Sequence, residues 1–174
     1  GSRSEVSTID TAIVVAGALT AGEYFGGAVK DKAMQIYRNV NWNAFLDKNL
    51  TVPNHHVVAN LNYNQMYHAW NPDRPSNDRF YGHWDYTSEC LLLYLLAAVS
   101  PESGHAIPPE TFYAIRKELG NYGVNGNPMV KSWFGSLFVY QYTQAFFNFK
   151  DAAGQPLYDR EGVDWWKNSV EAVK

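Results

Sequence analysis

At 174 residues the chain has room for one domain, and its 46% hydrophobic and 18% charged content belongs to a folded protein rather than a disordered one. A net charge of -3 and a pI near 5.9 exclude partners selected by bulk positive charge, so neither nucleic acid nor an anionic membrane surface is expected. The longest apolar run, Leu91 to Val99, is too short to span a bilayer, and a single cysteine, Cys90, excludes an internal disulfide and is expected to be a buried, inert thiol.

A first helix is expected to start at Ser7 or Thr8, because Ser7 and Asp10 have capping-box spacing. The run Ile13 to Leu19 is apolar almost all round, as in an inner helix, and Gly26-Gly27 stops it. A second helix over about 28–40 puts Met34, Ile36, Tyr37 and Val40 on an apolar stripe, and Trp42, Phe45 and Leu46 suggest one more turn. Residues 50–83 lose the helical period. Val57 to Tyr63 reads as a short strand paired with Met66 to Trp70, followed by a long loop, Asn71 to Asp78, with aromatic flanks. Helices are then expected over about 86–99, 109–119, 131–149 and 162–174. The fold class expected is all-α: antiparallel helical hairpins, with a small β-hairpin and long loop around 55–83. Inner helices in a lone layer would expose core surface, so the chain is expected to belong to a larger domain.

The aromatic content is 16%, with several aromatic residues in polar, turn-rich stretches. Such rings either pack a core or present flat faces to the apolar C–H faces of sugars. The sharpest motif is Trp84-Asp85-Tyr86-Thr87-Ser88-Glu89, two carboxylates and two aromatics at the start of an apolar helix. Glycosidases need one carboxyl group to protonate the leaving oxygen and a second to attack or to activate water. The same acids would also suit a helix N-terminus for dipole reasons alone. Glu5 and Asp10 flank the first helix start in a second, weaker acidic element.

No CxxC, HExxH, Gly-x-Gly-x-x-Gly or phosphate-loop pattern occurs, so neither a metal nor a nucleotide cofactor is implied. Of the five histidines, His55 and His56 are adjacent and poorly spaced for one metal. His83, next to Trp84, is the one expected to touch substrate.

The blocks Glu5-Val-Ser-Thr-Ile-Asp-Thr-Ala12, Ala16 to Gly26, Val40-Asn-Trp-Asn43, Trp84 to Glu89, Leu92 to Pro101, Ile107-Pro108, Leu137 to Tyr142 and Asn168 to Ala172 occur in an order that resembles the glucoamylase-like domain family. That family includes endo-β-1,2-glucanases and the glycoside-processing domain of cyclic β-1,2-glucan synthases. The resemblance spans nearly the whole chain and makes residues 1–174 one catalytic domain, part or all of an α/α toroid with its site at one open end. It implies a β-linked glucan as partner and no cofactor. Glu89 would be the catalytic acid, Glu5 its partner and Asp10 a nearby base or support. Trp84, Tyr86, Trp42 and Tyr142 would line sugar subsites, with Asp85, His83 and Gln141 among the substrate contacts. By the same analogy the protein works in the periplasm or outside the cell. Where the family pattern carries His, His, Asp and Arg, this chain has Tyr140, Gln144, Asn148 and Lys150. Those changes remove charge and donors from one wall, and they keep open a non-catalytic glucan-binding domain, or a segment inactive by itself.

Overall fold

In the computed structural model of the chain, residues 5–53, 62–121, 126, 128–133 and 135–174 are described. Residues 57–61 of the expected strand Val57–Tyr63, the pair His55 and His56, and part of the loop after Gly120 lie outside them; the last two residues of that strand fall on the same strand as Met66 to Trp70 instead of pairing with it.

Helix α1 (Thr8–Phe25) starts as its capping spacing predicts, the Ser7 hydroxyl accepting from the Asp10 amide at 3.3 Å. Gly26 and Gly27, at φ 66 and 50, end it and turn the chain into α2 (Gly27–Asn39), backbone that residues with a Cβ rarely adopt. The two helices form an antiparallel hairpin. α1 is not the inner helix its composition suggests. It buries Ala12, Val15 and Ala16, while Val14 is 63% and Tyr24 82% exposed. On α2 the buried residues are Ala33 and Tyr37, and Ile36 of the expected stripe is exposed.

The all-α expectation is corrected by a four-stranded antiparallel sheet of β1 (Val6–Ser7), β2 (Leu46–Pro53), β3 (Asn62–Trp70) and β4 (Phe80–His83). β3 is its spine. It pairs with β4 on one side (Tyr67 with His83, Ala69 with Tyr81), and elsewhere with β1 (Ser7 with Ala69) and β2 (Leu46 with Met66), the last across a register shift. The sheet therefore begins before the expected insertion and draws in the N-terminal segment. A 3₁₀ turn, Trp42–Phe45, leads into β2.

The core centres on α3 (Cys90–Ala98), whose Leu92, Leu93, Tyr94 and Ala97 have no exposed surface. An apolar helix of this kind is stable only when covered on all sides. α1, the 3₁₀ segment Pro109–Ala114 and the helix over Phe138–Phe146 pack against it. Tyr94 ties the helix to the sheet: its hydroxyl accepts from the Met66 amide at 3.0 Å and donates to the Trp84 carbonyl at 2.9 Å. Burial pushes this phenol well above its ordinary pKa. Cys90 is buried beside it, its thiol pushed up to about 12 by desolvation.

The remaining expected helices are shorter. Residues 86–89 are held out of α3 because Thr87 donates to the Arg116 carbonyl at 3.1 Å and Arg116 to that of Asp85 at 2.9 Å. The same pairing keeps 115–118 extended, so the helix expected over 109–119 is only the 3₁₀ segment. β5 (Leu119–Gly120) and β6 (Met129–Val130) form a ribbon, followed by α4 (Phe138–Phe146) and α5 (Trp165–Val173). Lys117 and Glu161 form a buried ion pair at 2.6 Å, with side chains 3% and 2% exposed.

Candidate active site

The segment 84–89 is fixed by partners from four parts of the chain. The Trp84 amide donates to the Met66 carbonyl, and its indole donates to the Thr8 hydroxyl, both at 2.9 Å. Thr8 in turn donates to the His68 carbonyl at 2.7 Å. The Thr87 carbonyl accepts from the Trp133 amide at 2.9 Å. Ser88 receives the Cys90 amide on its hydroxyl at 3.3 Å, so the chain enters α3 with Glu89 at the helix boundary. Strand, helix start and ribbon thereby converge on one short stretch of backbone.

They enclose a cavity of about 250 Å³. Trp84, Tyr86 and Trp133 give it aromatic walls, and His68, His83, Asp85, Ser88 and Glu89 supply polar groups. This is the mix a small-molecule site uses, apolar surface with a few convergent polar atoms. The Glu89 Oε2 atom is buried and has no hydrogen-bond partner among the described residues. A buried carboxylate oxygen that the protein does not satisfy is costly unless something else engages it.

His68 stands over Trp84, ring centres 4.2 Å apart. Burial lowers its pKa, outweighing the opposing pull of the His83 backbone and the Asp85 and Glu89 carboxylates, so the imidazole is neutral near pH 7. Its place depends on Gly82, at φ 60, where a Cβ would lie 2.3 Å from the His68 Nδ1. Behind the cavity, His83 Nε2 meets Asp47 Oδ2 at 3.0 Å. Burial works to raise the Asp47 pKa, but hydrogen bonds from Tyr67, His83 and the amides of Asn49 and Leu50 hold it below the ordinary value. Tyr67 is pushed up to about 12 by burial and by that carboxylate.

Of the residues expected from sequence, Glu89, Asp85, Trp84, Tyr86 and His83 are brought together here. Glu5 is not in the lining. It is exposed and accepts from the Tyr81 hydroxyl, two residues before His83 on β4. Asp10 is exposed in the first turn of α1. Trp42, expected as a sugar contact, is corrected to a core residue: it is 1% exposed and packed in the hydrophobic cluster, so its faces are already covered. Tyr142 and Gln141 lie on α4, away from this cavity. Tyr142 meets the Phe138 ring at a tilt, centres 5.3 Å apart, and Gln141 borders the groove between α4 and α5. His68, Ser88 and Trp133 were not expected. His68 carried one signal, its place in a His- and Tyr-rich stretch, whereas nothing around Trp133 marks it.

The four departures on and after α4 lie outside the cavity lining and have structural partners. Tyr140 accepts from the Ser132 amide at 2.7 Å, Gln144 donates to the Trp165 carbonyl at 3.0 Å, Asn148 accepts from the Lys150 amide at 3.0 Å, and the Lys150 ammonium lies 4.2 Å from the Trp166 ring centre. Among the described residues no cluster of His, Cys, Asp and Glu could hold a metal ion, and no helix is long and apolar enough to cross a membrane.

The family Glycoamylase, described as "Putative glucoamylase", matches residues 80–174, more than half of the chain, and the protein belongs to that family. Among solved structures the chain is similar to the endo-beta-1,2-glucanase from Chitinophaga pinensis in its sophorotriose and glucose complex, at 21% identity and a TM-score of 0.64. That likeness covers 96% of this chain and 38% of the glucanase chain, and it shows a shared fold. No curated protein was found to match.

Proposed function

We propose that the chain is the catalytic part of a glycoside hydrolase or transglycosylase acting on a β-linked glucan, with β-1,2-glucan as the first substrate to try. The observation that carries this reading is the buried, unpartnered Glu89 Oε2 in an aromatic-walled cavity. In the proposed mechanism Glu89 gives a proton to the departing glycosidic oxygen. Glu5 acts as the second carboxylate, with Asp10 in support: it either attacks the anomeric carbon or takes a proton from the water that does, so that a new bond replaces the glycosidic one. Trp84 and Tyr86 meet sugar faces, while Asp85 and His83 meet hydroxyl groups. The sophorotriose named with the glucanase supports the choice of linkage; a periplasmic or secreted location is part of the same proposal by analogy.

We read the α1–α2 hairpin as one unit of a larger α/α toroid. Its outward Val14, Tyr24 and Phe25 support this, since apolar surface of this kind is normally covered.

The test is reducing-sugar release from β-1,2-glucan beside a binding titration. Glu89→Gln should lower turnover by about 10²–10⁴-fold with binding retained, the range for a lost general acid. Glu5→Gln should lower turnover as well. Unchanged turnover in Glu89→Gln removes Glu89 from the mechanism. Binding without release in the unsubstituted chain favours a second reading, a glucan-binding module. What favours it now is the engagement of Tyr140, Gln144, Asn148 and Lys150 in protein contacts.

A further inference from the structure

Trp133 is the most exposed tryptophan among the described residues, at 74%, whereas Trp42 and Trp165 are 1% and 2% exposed. A large indole facing water is uneconomical unless its face has a use. It is also held in place. Its amide is bonded to the Thr87 carbonyl at 2.9 Å, and its ring meets the Tyr86 ring edge-on, centres 5.9 Å apart. Tyr86 is braced by the carboxylate of Glu118, which accepts its hydroxyl at 2.8 Å, and by the Arg116 guanidinium 5.2 Å from the ring centre. A flat apolar surface positioned before any ligand arrives loses little freedom on binding.

We propose that Trp133 is the stacking platform for a pyranose ring at the rim of the Glu89 cavity, a binding residue that sets how the glucan enters. This rests on the glucan reading given above. The chemistry matches a sugar because the indole offers an apolar face while Asp85, Ser88 and Glu89 offer polar atoms at the same opening. A pyranose has that division, C–H groups on its faces and hydroxyl groups around its edge. An anionic ligand such as a nucleotide would meet two carboxylates there instead.

The test uses the whole chain and β-1,2-gluco-oligosaccharides of increasing length, with Kd from calorimetry and kcat and KM from reducing-sugar release. Trp133→Ala should raise Kd and KM about tenfold with kcat nearly unchanged, the pattern of lost uniform binding. Trp133→Phe should recover most of the affinity, and it keeps the test decisive should the alanine variant fold poorly. Wild-type affinity in Trp133→Ala, or a fall in kcat at constant KM, overturns the platform while leaving the Glu89 reading intact. A wild-type chain that neither binds nor cleaves glucan overturns both.

Discussion

Of two hollows beside α3, one flanking its outer side and one at its start, the larger is the less informative. A groove of about 420 Å³ runs between α3, the 3₁₀ segment and residues 157–165, lined by Leu95, Phe112, Tyr113 and Phe149 among others. Two of its charged groups, Asp159 and Arg160, are committed to the protein. Asp159 accepts from the amides of Glu161 and Val163 and from the Trp165 indole, while Arg160 donates to the Tyr63 hydroxyl and lies 3.9 Å from the Tyr113 ring centre. The smaller cavity, about 250 Å³, holds a carboxylate oxygen that no described residue satisfies. Volume measures where a ligand fits, whereas an uncommitted polar group in a fixed frame shows where chemistry can happen. The large groove reads as packing, and the small cavity reads as the site.

Four substitutions sharpen or break that contrast. The largest expected effect is the loss of turnover in Glu89→Gln, with the melting temperature nearly unchanged. Next is Lys117→Ala, beside the large groove, where Lys117 sits 5.1 Å from the Phe112 and Tyr113 ring centres. Removing it leaves Glu161 buried without its partner, a loss of about 3–5 kcal/mol, read as a lowered denaturant midpoint. Turnover per folded molecule should hold, and a selective loss of turnover would move the site toward that groove.

Tyr94→Phe comes third. It strands the Met66 amide and the Trp84 carbonyl and should cost about 1–3 kcal/mol in chemical denaturation. Because it loosens the backbone that leads to Glu89, a smaller drop in kcat should accompany it. Full stability in this variant would show that the clasp carries no weight. The smallest effect is at Asp47. Its folded pKa lies below its unfolded one, so its contribution is present at neutral pH and fades as pH falls below about 4. Asp47→Asn should therefore be less stable than wild type at pH 7 and lose less on acidification. Parallel pH–stability curves for the two proteins would contradict this.

How much of this was legible in the residues differs along the chain. The start of α1 and the Gly26-Gly27 break were readable because capping and left-handed backbone are local requirements. The sheet was not. β3 reads Asn-Tyr-Asn-Gln-Met-Tyr-His-Ala-Trp, with no β-branched residue. Its polar Gln65 is buried through a distant partner, donating to the Ala114 carbonyl at 3.2 Å. The motif from Trp84 to Glu89 could be found from its spacing of acids and aromatics. That spacing could not show that Arg116 and Trp133 unwind its first residues from the helix. Trp42 failed as a sugar contact for the same reason, since burial is decided by the whole fold.

The most direct measurement is a crystal structure of Glu89→Gln soaked with a β-1,2-gluco-oligosaccharide. The account predicts a sugar ring in the smaller cavity, within hydrogen-bond reach of side chain 89. A sugar seated only in the groove lined by Phe112 and Tyr113, with nothing near residue 89, would contradict it.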